Sequence, residues 1–294
     1  MLKFLGIAVA MTVLIGNGAV AAEPQEEVTV TAKRAELLPK LSAFAYGITE
    51  PVNGEGLARW QVPVCPLVAG LRQQEGEFIL ERISEIARAA GVPLAGEQCR
   101  PNLYIMVTGQ PQQLLQAMAN RKRDVVFANA SPLDVEEFLE RPAPVRVWYS
   151  TTRKIPGGAA PSLGVPPMAQ IRGAGLSGPP TNSGSWLDNS HLQSSYEYGF
   201  SYVFVVADQA RVGALTRGQF ADYLAMVGLA QVKSPPHLGE SQTILKLFDG
   251  TPDAALPGMS TWDQAFLKAL YHTNSATKTQ RSQLGVAMAH EIAP

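Results

Sequence analysis

Four histidines (His191, His237, His272 and His290) and two cysteines (Cys65 and Cys99) are the chain's strongest metal-ligand candidates. No two of the histidines stand three or four residues apart, the spacing that puts a pair on one face of a helix. Two thiols are too few for a four-thiolate zinc site. As a nucleophile Cys65 would need a base and an electropositive setting, and its neighbours Val64 and Pro66 supply neither. Gly239-Glu240-Ser241-Gln242-Thr243 lacks the closing glycine of a serine nucleophile elbow, and no P-loop occurs. Gly173-Ala174-Gly175-Leu176-Ser177-Gly178 spells the dinucleotide fingerprint, but Pro179-Pro180 stands where the phosphate-binding helix would begin. Glu136 and Glu137 are adjacent, so on a helix they diverge by roughly 100° and read as a solvated face. Asp222 is the acid worth following. It lies in the apolar stretch Phe220–Val227, and burying an unpaired carboxylate is costly, so it must be paired or functional. Arg211 and the surroundings of Tyr223 are the partners the sequence suggests; a cleft is the functional alternative.

The elements around these residues follow from apolar periodicity. A short strand is expected at Trp60–Val64, with Pro63 pushing it to an edge. Ile79, Ile83, Ile86, Ala87 and Ala90 form one helical stripe ending at Gly91. The run Asn102–Thr108 reads as a buried strand, Leu114, Leu115 and Met118 mark a second helix, and Asp134–Glu140 an acidic one. Val125–Phe127, Val145–Tyr149 and Phe200–Val206 read as strands. Thr216 with Gln219, and Ser260 with Asp263, are capping pairs that open two further helices. The first of these is apolar on nearly all sides and should be central. Leu284, Met288 and Ile292 mark a terminal helix. Six prolines and seven glycines among the 29 residues 156–184 leave only a long loop there. The expected fold is α/β (α+β): a mixed sheet with packed helices and a helical C-terminal third.

The N-terminus carries an address. Lys3 precedes an apolar run from Phe4 to Ile15, broken by Gly16-Asn17-Gly18 and followed by small residues, the layout of a signal peptide spanning 1–22. The run is shorter than the ~20 residues a membrane span needs, and no later segment reaches that length. The expected location is therefore periplasmic or secreted. Export permits a Cys65–Cys99 disulfide, tying the start of one strand–helix unit to the next strand and worth ~2–4 kcal/mol. Residues 23–45 are expected to be a polar, flexible leader before a single domain at 46–294. Within the leader, Glu27, Val28, Thr29, Val30 and Thr31 resemble the TonB box of outer-membrane receptors, an extended segment that adds to a sheet edge. The chain is far too short for such a receptor's barrel, so the alternative is a run of β-branched residues in a disordered leader.

Two C-terminal segments resemble metzincin-type zinc peptidases. That family carries H-E-x-x-H-x-x-G-x-x-H on a central helix after the last strand, and many members then carry L-S-x-x-D-x-x-x-I-x-x-L-Y. Setting Gly228 on the motif glycine puts Ala221, Ala225 and Gln231 at the three histidine positions and Asp222 at the glutamate. Met259-Ser260, Asp263, Leu267, Leu270 and Tyr271 fall in register with the second pattern. Catalytic zinc needs about three protein ligands and an open position, which two alanines and a glutamine do not supply. The resemblance therefore implies a zincin-like pseudo-peptidase. Without that ancestry, the same features are ordinary helix starts and stops in a secreted α/β domain.

Lys and Arg number 24 against 25 Asp and Glu, a formal charge of −1 that gives no basic face for nucleic acid. The sequence thus points to a non-catalytic secreted or periplasmic binding or accessory protein, without metal or other cofactor, acting on a protein or small-molecule partner. Two alternatives stand beside it: a metal-independent hydrolase built around Asp222, and an accessory to TonB-linked transport.

Overall fold

The computed structural model describes residues 25–154 and 196–294, apart from 53, 55, 128–129, 234–235, 250–255, 276 and 278. Residues 1–22, expected as a signal peptide, the Pro/Gly-rich stretch 156–184 with its fingerprint, and His191 lie outside the described residues. Within them the chain is a mixed α+β protein with a four-stranded sheet in the order β1-β2-β4-β3. The strands are β1 (Pro66–Ala69), β2 (Leu103–Thr108), β3 (Val145–Lys154) and β4 (Glu197–Asp208). β1, β2 and β4 run parallel; β3 runs antiparallel to β4 along its outer side.

Side chains alternate across a strand, so the sheet has two distinct faces. Leu103, Ile105 and Val107 join Val203, Val205 and Ala207 in the main core. Met106, Phe204, Val206 and Trp148 point the other way, into a smaller cluster with Leu115, Phe127 and Phe138. Helices α3 (Pro111–Val126) and α4 (Pro132–Glu140) cover that second face. The main face is covered by α2 (Gln73–Ala89) and α6 (Arg217–Leu229), the latter following β4 through the short α5 (Gln209–Val212). A 3-10 turn (Ile244–Phe248), α7 (Thr261–His272) and α8 (Gln280–Ile292) complete the C-terminal third.

The expected stripe on α2 is buried at Ile79, Ile83, Ile86 and Ala87. Gly91 terminates the helix at φ +76°, a left-handed conformation that glycine adopts without steric cost. Both C-terminal capping boxes form as the sequence implies, Thr216 with Gln219 and Ser260 with Asp263. Cys65 and Cys99 are bridged, joining the residue before β1 to the loop before β2. Asn102 reinforces the same junction: its Oδ1 accepts from the Cys65 N–H at 2.8 Å and its amide donates to the Pro63 carbonyl at 3.0 Å.

Three expectations are corrected. Residues 23–45 were expected as a flexible leader, yet α1 spans Gln25–Ile48. Leu37, Leu41, Phe44, Ala45 and Ile48 recur at helical spacing, and the last four are buried; α1 lies along α8, and Phe44 reaches Trp262 and Phe266 on α7. Where the two helices touch, a Cβ on Gly285 would come within 2.1 Å of Ser42 Oγ, so only glycine permits this approach. Arg281 caps the end of α1, donating to the Tyr46 and Thr49 carbonyls at 2.5 and 2.7 Å. Second, Trp60–Val64 is not a strand but irregular chain with isolated bridges at Arg59 and Val64; the strand begins after the disulfide. Third, Val125 and Val126 end α3 instead of forming a strand, because Val126 and Phe127 complete the smaller cluster by packing beside Trp148 and Phe138.

Candidate functional site

Nine of the thirteen residues of α6 are buried, Asp222 among them. Ala221 and Ala225, at the first two histidine positions of the zinc pattern, are wholly enclosed in the core. Small side chains are what let this helix lie against the sheet. At Gly228 an added Cβ would stand 3.1 Å from Leu103 on β2, so nothing larger fits without displacing a core leucine.

Asp222 is paired, and its partner comes from α2. Arg82 Nε donates to Oδ1 at 2.6 Å and Nη2 donates to Oδ2 at 3.2 Å, a two-pronged contact. The Met259 N–H adds a third bond, to Oδ2 at 2.7 Å. Neither partner suggested by the sequence is used: Arg211 donates instead to the Pro142 carbonyl, and Tyr223 packs edge-on against Phe248. Arg82 was invisible as a partner because it lies 140 residues away and is one of several charged residues along α2. Gly258 is required beside this contact, since a Cβ there would sit 2.7 Å from Asp222 Oδ2. Gly258→Ala should therefore loosen the Asp222–Met259 bond and destabilise the fold by about 1–2 kcal/mol. Urea unfolding would check this, and an unchanged midpoint would disprove it.

The C-terminal end of α6 is held by three aromatic donors. Tyr149 OH donates to the Val227 carbonyl at 2.9 Å, Trp60 Nε1 to Gly228 at 2.9 Å, and Tyr271 OH to Leu229 at 2.6 Å. These are carbonyls that a helix end leaves without partners. Each hydroxyl also accepts a backbone bond, Tyr149 from Val232 N and Tyr271 from Trp60 N. Burial pushes both phenols above their ordinary range, so they remain protonated donors. Tyr149→Phe and Tyr271→Phe should each leave a buried carbonyl unsatisfied and lower stability by about 1–2 kcal/mol, read by thermal denaturation. Equal stability in both variants would disprove the role.

Gln231, at the third histidine position, keeps a buried Oε1 without a hydrogen-bond partner, for which the geometry offers no account. His237 lies on the loop after α6, with its N–H on the Gly47 carbonyl. His272 binds the Lys268 carbonyl through Nδ1, and His290 is exposed on α8. None of the three is a partner of Asp222. Among the described residues, no three His, Cys, Asp or Glu side chains gather as a metal-holding group. Glu27, Val28, Thr29, Val30 and Thr31 lie in the first turns of α1, not in the extended segment expected for them.

One cleft adjoins Asp222. Its volume is about 190 Å³, and it opens between α2 and the α7 side of the molecule. Arg82 and Met259, the two partners of Asp222, both line it. Among the described residues no helix is long and apolar enough to cross a membrane. No protein-family model matches the chain, and no curated protein or solved structure matches it.

Proposed function

We propose that the chain is an exported, non-catalytic binding or accessory protein built on a zincin-like scaffold whose metal ligands have been replaced. The observation carrying this reading is the state of Asp222. At the position of a general base, both of its oxygens are engaged, Oδ1 by Arg82 and Oδ2 by Arg82 and the Met259 N–H, and the side chain is only 4% exposed, an arrangement that counts against its activating a substrate water. The buried Ala221 and Ala225 beside it offer neither ligands nor room for a metal. The same bonds count against a metal-independent hydrolase centred on Asp222, which would need a histidine or a free oxygen at that point. Export is supported by the charged, apolar and small-residue order of residues 1–22 and by the Cys65–Cys99 bridge.

The test is elemental analysis with calorimetric zinc titration of the purified mature protein, beside an assay for cleavage of unfolded protein substrates. The expected result is no stoichiometric metal and no cleavage. Tight zinc at one per chain, or turnover abolished by Asp222→Asn, would overturn the reading.

A further inference from the structure

We infer that the cleft between α2 and α7 is a binding site for a small uncharged molecule with an apolar body and one neutral hydrogen-bonding group. The argument begins with shape. Both helices flank the core around α6 but leave a gap between them, floored by the buried Ile86, Ala90 and Leu267. The gap measures about 190 Å³; an apolar cavity of roughly 150 Å³ accepts a benzene ring. Met259 contributes a deformable thioether to one wall.

Charge then selects the ligand class. Arg82 is neutralised by Asp222 and by Glu85 at 3.3 Å, and Lys268 by Glu291 at 3.4 Å. The five groups together sum to −1, which disfavours an anion, and both exposed acids already hold cations. Gln264 is the polar wall residue left uncommitted: it is exposed, and its carboxamide has no partner among the described residues. A carboxamide offers one donor and one acceptor face without charge, which suits an amide, carbonyl or hydroxyl on the ligand. Asp222 is a positioning residue here. By holding Arg82 on one wall and the Met259 backbone on the other, it fixes the width of the cleft.

The inference deepens the binding reading above and fails separately from it. Zinc uptake would remove that reading without touching the cleft. Loss of probe binding would remove the cleft without implying catalysis. The experiment titrates the isotope-labelled full chain with benzamide, benzoate and benzylammonium, three probes sharing one ring, while following backbone amide shifts by NMR. Benzamide should shift Ala90, Gln264 and Leu267 saturably, and bind about tenfold tighter than either charged probe. Ala89→Leu, at an exposed position on the cleft wall, should abolish binding, and Gln264→Leu should weaken benzamide about fivefold. Neither side chain belongs to the core, so both variants keep the fold. Shifts that do not saturate, charged probes binding as well as benzamide, or full binding by Ala89→Leu would each overturn the assignment.

Discussion

Replacing Asp263 by alanine should destabilise the protein by about 3–4 kcal/mol, the largest single effect expected in this molecule. Its side chain is wholly buried and carries no cation. Instead it accepts from Thr243 Oγ1 at 2.6 Å, Ile244 N and Ser260 N at 2.9 Å, and Ser260 Oγ at 2.8 Å. One carboxylate thus fastens the 3-10 turn to the start of α7. Alanine would strand two backbone N–H groups that cannot rotate toward water. Burial raises the Asp263 pKa above its ordinary 3.8, and the four donors pull it back only in part. The sign follows directly. A raised value in the folded state adds stability that is complete below about 3.8 and fades as pH rises through the folded value. Asp263→Asn has no such titration, so the wild-type advantage over it should be greatest in acid and shrink toward neutrality. Urea unfolding of both proteins from pH 4 to 8 reads this out. A gap that widens with rising pH would mean that the hydrogen bonds, not burial, dominate.

Asp222→Ala should cost about 3 kcal/mol, somewhat below a fully buried ion pair because Arg82 keeps water and Glu85 within reach. Its side chain is only 4% exposed against 38% for Arg82, so the aspartate carries most of the desolvation. Removal leaves the Met259 N–H without its acceptor and frees one wall of the cleft. The pair is isolated by a double-mutant cycle with Arg82→Met, which keeps the apolar stem while removing the charge. A coupling above about 1 kcal/mol is expected, with the Asp222→Ala loss much smaller once Arg82 is gone. Additive effects would mean that Asp222 stabilises the fold through Met259 alone.

Much of the local structure could be read from residue order. The α2 stripe, both C-terminal capping boxes and the strands at Leu103, Val145 and Phe200 rest on patterns spanning four to twelve residues, and such patterns survive burial unchanged. The α1 helix was also legible in the spacing of Leu37, Leu41, Phe44 and Ile48, but the β-branched Val28, Thr29, Val30 and Thr31 ahead of it favoured an extended reading. At Val125–Phe127 a short apolar run fits a strand and a buried helix end equally well. Its context decided the matter: the preceding helix continues, and the aromatic cluster against Trp148 is filled by its last residues.

By itself, the sequence determined the α+β class, the cysteine pair and the caps. Each depends on residue type and short-range spacing, which the chain carries before it folds. Tertiary structure alone decided that Asp222 faces Arg82, that Tyr149, Trp60 and Tyr271 converge on the last carbonyls of α6, and that a cleft opens beside Met259. Those contacts join residues from 37 to 168 positions apart. At such separations the partner is chosen by how the helices pack on the sheet, and no local pattern encodes which of several arginines or aromatics will arrive there.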